Sequence, residues 1–378
     1  MSGKRHYCDY NAGAPLRPEA REMMLRALDL GGNPSSVHGH GRAARAMLED
    51  ARECIASGVG ARTENLVFTS GATEALHLAM DGAFASGIAK SLIVSAIEHD
   101  AVIEYAARKW PGFQRVAATT DGVIDLSALA RALEQAEKPA LVALMLVNNE
   151  TGAIQPIRKA AALVREYGGL LLVDAAQAFG RIPVDLGDLD ASYLALSSIK
   201  IGGPPGAGAL ALAPGAPFAS IRAGGGQERG RRPGTENAPA LAGFHGAARA
   251  VLGAQSEAER IAALRARFEA GLPADALVFA QKADRVGNVS YFALPGMSAE
   301  TAVIAMDLEG VSVSSGSACS SGKVRASRVL TAMSAPPDRI KGALRVSFGW
   351  ASSEDDVDAA LAALNMLRAR GAPMQGAA

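Results

Sequence analysis

Short apolar segments alternate with helical patterns from about residue 40 to residue 215, and this alternation constrains the fold more than any other feature. The apolar segments predict strands at 66–68, 91–97, 140–147, 170–174, 192–197 and 207–213. Helical spacing is found at 41–57, 73–86, 125–136 and 157–168. Strands and helices that alternate in this way predict an α/β fold with a mostly parallel central sheet and helices on both faces.

The pattern changes after a long helical stretch at about 239–270. Strands are predicted at 286–294, 311–317 and 343–350, and helices at 298–309 and 353–370. A chain of 378 residues is long enough for two domains of about 150 residues each. We therefore predict a large domain of residues 16–255, and a smaller α+β domain made of residues 1–15 and 256–378.

Charge and composition argue against several classes of partner. The 38 basic residues balance 38 acidic residues, so no electrostatic feature favours nucleic acid or an anionic membrane. The longest apolar run, 140–147, is too short to span a bilayer, and the N-terminus lacks an apolar leader. The cysteines (Cys8, Cys54 and Cys319) form no CxxC pair. We expect no disulfide framework, no metal site and a cytoplasmic location.

Polar side chains follow five of the predicted strands, namely Thr73, His99, Asn149, Asp174 and Lys200. Each has an ordinary explanation by itself, such as a helix cap, a turn or a solvated lysine. Together they lie at one edge of a parallel sheet, where ligands of such sheets bind. Together these residues predict a site for pyridoxal 5′-phosphate (PLP). The helix that begins near Thr73 would hold a phosphate, Asp174 would pair with a ring nitrogen, Lys200 would form a Schiff base, and the ring of His99 would stack on the cofactor.

Ordered motifs over nearly the whole chain strengthen this interpretation. They are "YCDYNAGAP" (7–15), "GNPSSVHGHGRAAR" (32–45), "FTSGATEA" (68–75), "EHDAV" (98–102), "VNNETGAIQP" (147–156), "VDAAQ" (173–177), "GGGQERGRRPGTEN" (224–237), "SSGSACSSG" (314–322) and "LRVSFG" (344–349). In these motifs the chain resembles the cysteine desulfurases, which are fold-type I PLP-dependent transferases related to the class-V aminotransferases.

The resemblance implies a role for each matching residue. Lys200 would be the Schiff-base lysine, and Cys319 and His99 would complete the catalytic set. The residues implied in cofactor binding are Ala72, Thr73, His99, Asn149, Asp174, Gln177, Ser197, Lys200 and Thr235. Asn33 and Arg345 would bind the substrate carboxylate. Because Thr235 would reach the phosphate of the partner subunit, the resemblance also implies a homodimer.

The implied reaction converts L-cysteine to L-alanine and leaves the sulfur on Cys319 as a persulfide. Cys319 lies in the serine- and glycine-rich stretch 313–323, and a mobile loop would carry the sulfur to an acceptor protein. The stretch from Cys319 to Leu330 resembles the longer-loop branch of the family, which supplies iron–sulfur scaffold proteins. Alternatives left open are a selenocysteine or cysteine sulfinate lyase, an aminotransferase of the same fold, and a degenerate relative that only binds.

The chain departs from the family pattern around the lysine. Ile199 stands where the family normally has a histidine that donates to the phosphate, and Pro205 replaces a usual lysine. Loss of one charge-assisted contact to the phosphate costs about 1.5–3 kcal/mol of binding. We therefore predict weaker retention of PLP, but not its loss.

Overall fold

The structure is a computed structural model that describes residues 4–315 and 326–371. The strands are β1 (His6–Tyr7), β2 (Leu66–Thr69), β3 (Ser91–Ser95), β4 (Gln114–Val116), β5 (Ala140–Met145), β6 (Leu170–Asp174), β7 (Tyr193–Ser197), β8 (Gly208–Leu212), β9 (Leu277–Val278), β10 (Val289–Ala293), β11 (Val311–Ser312) and β12 (Ala343–Ser347). The helices are α1 (Pro18–Leu30), α2 (Gly39–Ser57), α3 (Ala72–Ala85), α4 (Asp100–Lys109), α5 (Leu126–Gln135), α6 (Ile157–Glu166), α7 (Ala238–Val251), α8 (Gln255–Ala270), α9 (Ala299–Leu308), α10 (Arg328–Ala332), α11 (Pro337–Lys341) and α12 (Glu354–Gly371).

A seven-stranded sheet in the order β2-β8-β7-β6-β5-β3-β4 forms the centre of the chain. Strands β3 to β7 pair in parallel, whereas β8 runs antiparallel to both of its neighbours. One face packs against α2, α5, α6 and α7, and the other against α3 and α4. Every residue of β5 is buried, as expected for a strand that is covered on both faces. The predicted mostly parallel sheet with helices on both faces is confirmed.

Two smaller sheets lie outside the central one. Strands β12, β10 and β9 form an antiparallel sheet, and β1 pairs in parallel with β11. A separate apolar core joins β10 and β12 to α8, α9 and α12. The N-terminal segment then crosses to the large sheet, where Ala14 N donates to Ile199 O at 2.9 Å. The division into residues 16–255, and 1–15 with 256–378, remains a prediction.

Some predicted elements differ from the observed ones. The helix predicted at 239–270 is two helices, because Gly253 adopts a left-handed φ of 86° between α7 and α8. The strand predicted at 311–317 is described to Ser315, and only β11 within it is a regular strand, which pairs with β1. Ser314 adds a single antiparallel bridge to Arg345 of β12 in the three-stranded sheet. The edge strand β4 was not predicted, because its sequence, Gln-Arg-Val, lacks an apolar run.

Within the described ranges, no helix is long and apolar enough to cross a membrane.

Candidate active site

A cavity of about 510 Å³ opens at the carboxyl edge of the central sheet. The predicted site residues that line it are Ala72, Thr73, His99, Asn149, Asp174, Gln177, Ser197, Lys200 and Arg345. Eight of these lie on, or within a few residues after, strands β2, β3, β5, β6 and β7, whose carboxyl ends share one edge. Arg345 comes from β12 in a different sheet. The fold thus gathers residues that are far apart in sequence.

Lys200 lies in a short turn directly after β7. Its Nζ donates to the backbone oxygens of Asn11, at 2.9 Å, and Ala12, at 2.8 Å. Burial, together with the positive charges of Arg345 and Arg181, lowers the pKa of Lys200 to about 8. An appreciable part of this amine is therefore neutral near physiological pH, which suits it to nucleophilic attack and to proton transfer.

Asp174 ends β6 and is 7% exposed. One carboxylate oxygen accepts a hydrogen bond from Ala176 N at 2.9 Å. Burial raises the pKa of Asp174, and the Ala176 bond with the charges of His99 and Lys200 offsets part of this effect. A ligand that places a protonated nitrogen beside this carboxylate would supply the counter-charge that the protein only partly provides.

The Gln177 amide is held in one orientation. Its Nε2 donates to Asn11 O at 2.9 Å, and its Oε1 accepts from the Arg181 guanidinium. Arg181 also donates to the backbone oxygen of Gln177 at 2.8 Å. Sequence reasoning missed both Asn11 and Arg181. Arg181 lies four residues after Gln177, a spacing that brings side chains together on a turn.

Arg345 is 4% exposed and is fixed by two contacts. Its Nη2 pairs with Asp9 Oδ1 at 2.8 Å, and its Nη1 donates to Asn149 O at 3.0 Å. Its buried Nε finds no hydrogen-bond partner in the part of the chain that the structure describes. This guanidinium therefore keeps unused N–H groups, which is what recognition of a carboxylate requires. Asp9 was not predicted.

Glu150 is a second buried acid on the cavity wall. It accepts a hydrogen bond from the Ser327 hydroxyl, which also caps the start of α10. Burial raises the pKa of Glu150, while Ser327 and the charge of Arg345 act in the opposite direction.

The N-terminus of α3 lies at one end of the cavity, where Ala72 and Thr73 face Ser197 from the end of β7. Glu74 in the same turn accepts from Ser70 N at 2.6 Å and pairs with Arg222 and Arg232. Burial opposes ionisation of Glu74, but the hydrogen bonds from Arg232, Ser70 and Arg222 outweigh it and lower its pKa to about 2. Free N–H groups, hydroxyls and two nearby arginines make this end suitable for a phosphate.

Two predicted residues, Asn33 and Thr235, are not among the described residues that line the cavity. Asn33 is exposed, and its side chain accepts from Ser35 N at 2.9 Å. Thr235 is also exposed, and its predicted contact is with a partner subunit. Cys319 lies outside the described residues, although Ala326, the first described residue after that gap, lines the cavity.

The residues present fit PLP. A cavity of about 510 Å³ lies within the usual range for small-molecule sites, roughly 300–1,000 Å³. It combines an amine of lowered pKa, a buried carboxylate without a full counter-charge and a helix N-terminus with hydroxyls. Ile199 lines the same cavity where the resemblance expects a histidine, so the phosphate end has one donor fewer than expected.

Comparison with known proteins identifies the family. The class-V aminotransferase profile matches residues 6–360. A cysteine desulfurase of Cereibacter sphaeroides is 38% identical over 96% of this chain and 95% of its own length. An IscS-like cysteine desulfurase of Mycobacterium tuberculosis is 36% identical over 98% of both chains. The solved structure of a NifS-like protein from Rickettsia africae has a TM-score of 0.88 and 29% identity, covering 97% of this chain and 99% of that one.

The chain therefore belongs to the class-V aminotransferase family, and within it to the cysteine desulfurases. These are PLP-dependent enzymes, and PLP is the cofactor. The roles of individual site residues remain predictions.

Proposed function

We propose that this chain is a cysteine desulfurase that converts L-cysteine to L-alanine and transfers the sulfur to Cys319 as a persulfide. The observation that carries the proposal is that Lys200, Asp174 and Arg345 line the same cavity. An amine of lowered pKa, a buried acid and a fixed guanidinium are what a PLP enzyme needs to act on an amino acid.

Each of these residues has a distinct task. When bound, PLP withdraws electrons from the bonds around the amino acid's Cα. Lys200 anchors the cofactor and then moves the Cα proton, because its pKa of about 8 lets it both accept and release a proton near neutrality. Asp174 would hold a proton on the ring nitrogen, His99 would stack on the ring, and the Gln177 amide would hydrogen-bond the ring hydroxyl, with Asn149 beside it.

The binding residues hold the phosphate of the cofactor and the carboxylate of the substrate. Ala72 N, Thr73 and Ser197 hold the phosphate at the start of α3. Arg345 binds the substrate carboxylate through its free N–H groups, with Asn33 as the second predicted ligand. The C–S bond of the substrate then breaks as an S–S bond forms to the Cys319 thiolate. The electron pair of the C–S bond stays on carbon, which takes up a proton and becomes the methyl group of L-alanine.

The proposal includes a homodimer, a cytoplasmic location and a sulfur-acceptor protein, with iron–sulfur cluster assembly as the use of the sulfur. The exposed position of Thr235 supports the dimer, because this residue is free to reach a partner's cavity.

The deciding experiment measures alanine formation from L-cysteine, with PLP and a thiol reductant, for the wild type, Cys319→Ala and Cys54→Ala. We expect alanine from the wild type and from the Cys54 control, but not from the Cys319 variant. Equal alanine from all three proteins would remove Cys319 from the reaction and favour a lyase. Alanine that requires an added oxo acid would instead favour an aminotransferase.

A further inference from the structure

Glu98 is a buried acid that the proposed reaction does not use. It follows β3, immediately precedes His99 and lines the cavity, yet it is only 3% exposed. Its Oε1 accepts from Met145 N at 2.8 Å. Met145 ends β5 and is paired in register with Asp174 at the end of β6. Glu98 thus reaches across the sheet edge to the strand end next to Asp174.

The second oxygen of Glu98 is the unusual feature. Oε2 is buried and has no hydrogen-bond partner among residues 4–315 and 326–371. An ionised carboxylate in that position would be a buried charge with an unpaired oxygen, which is strongly unfavourable. A carboxylic acid needs no counter-ion, so protonation removes the buried charge.

The charged groups around Glu98 favour the neutral form of its carboxyl group. The other charged groups on the cavity wall are Glu74, His99, Glu150, Lys200 and Arg345, with the Asp100–Arg328 pair at 3.0 Å. None of these is ion-paired with Glu98 in the described structure. Burial raises the pKa of Glu98 well above its usual range, and the nearby charge of Asp174 raises it further.

We propose that Glu98 is a neutral acid, so that the negative charge at the adjoining ends of β5 and β6 stays on Asp174 alone. Glu98 is then a positioning residue. Its Oε1 fixes the end of β5, the strand end that lies next to Asp174 in the sheet. The role of a neutral Glu98 beside Asp174 rests on the proposed function. Its protonation state can be tested without cofactor or substrate.

The test compares urea unfolding of the full-length wild type and Glu98→Gln at fixed protein concentration from pH 5 to pH 8. Folding raises the pKa of Glu98, so its stabilising contribution is present below about pH 4.3 and is lost as pH rises to the folded-state value. Glutamine resembles the neutral acid but cannot ionise, so the Glu98→Gln protein does not lose this stability as pH rises. We expect the folding equilibrium of Glu98→Gln to gain about tenfold over the wild type per pH unit in that range.

A difference between the two proteins that stays constant from pH 5 to pH 8 would overturn the proposal. Glu53→Gln, at an exposed position on α2, is the matched control and should show no such trend. If Glu98→Gln does not fold, the protonation is measured in Glu150→Gln with ¹³C-labelled glutamate by NMR. This variant removes Glu150, the other buried glutamate on this cavity wall, while the buried Glu228 is ion-paired with Arg52. A neutral glutamate carboxyl signal at pH 6 therefore supports the proposal, and its absence contradicts it.

Discussion

The two halves of the cavity are built in different ways. On the sheet side, Thr73, His99, Asp174 and Lys200 each lie within a few residues of a strand end. On the opposite side, Asp9 and Arg345 are 336 residues apart and meet through a 2.8 Å ion pair. The first half depends on local strand-to-helix turns, whereas the second exists only after the N-terminal segment and β12 have packed together.

This difference predicts different responses to mutation. A sheet-side residue is positioned by the backbone, so its replacement removes a chemical group and leaves its neighbours in place. A residue on the opposite side positions others, because Asn11 accepts from both Lys200 and Gln177 through its backbone oxygen. Its replacement therefore affects binding and stability together.

The largest effect is expected for Lys200→Ala. Removal of the amine eliminates both the covalent anchor and the proton carrier, so desulfuration should fall by a factor of about 10⁴ or more. Alanine release and the absorbance of bound PLP measure these two losses. Lys159→Ala, at an exposed position on α6, is the control. Retention of more than about a hundredth of the activity would show that another group moves the proton.

A smaller but substantial effect is expected for Asp9→Asn. The change leaves the buried Arg345 guanidinium without its ion partner, which should cost about 2–4 kcal/mol of unfolding free energy. KM for L-cysteine should rise because Arg345 is no longer fixed. Urea unfolding and steady-state kinetics measure the two effects. Glu22→Gln, which breaks an exposed pair with Arg26, should change stability by about 0.5 kcal/mol or less.

Ile199→His should strengthen PLP retention about tenfold, since a charge-assisted hydrogen bond to the phosphate contributes about 1.5–3 kcal/mol. Equilibrium dialysis with absorbance detection gives the dissociation constant. Ile199→Leu keeps the side chain apolar and serves as the control. An unchanged constant for Ile199→His would mean that other groups, such as the arginines paired with Glu74, already satisfy the phosphate.

The smallest effect is expected for Arg181→Met. In the wild type after removal of PLP, which frees the amine of Lys200, its reactivity toward an amine reagent should titrate with a midpoint near pH 8. A neighbouring cation disfavours the ammonium form, so removal of Arg181 should raise this midpoint by about one unit or less. The change should be small because burial, which lowers the pKa of Lys200 more than the nearby arginines do, is the same in the variant. Mass spectrometry of labelled peptides gives the midpoint, and a downward shift would contradict the assigned sign.

Sequence reasoning succeeded where structure is local. The strands that precede Asp174 and Lys200 are continuous apolar runs, which mark them as buried from both sides. The helix break at Gly253 and the edge strand β4 were missed, because a single left-handed glycine and a three-residue strand leave little pattern in the sequence. Glu98 was missed because its burial and its contact with Met145 arise only when β3 and β5 pack together.

The sequence by itself determined the α/β class, the positions along the chain of the strands that carry the cofactor residues, and the polar side chains that follow those strands. Periodicity and turn chemistry act over a few residues, so they can be read from the chain directly. Only the tertiary structure decided that Asp9 holds Arg345, that Arg181 orients Gln177 and that Glu98 is buried beside Asp174. These outcomes depend on distances and desolvation between distant segments, which exist only once the chain has packed.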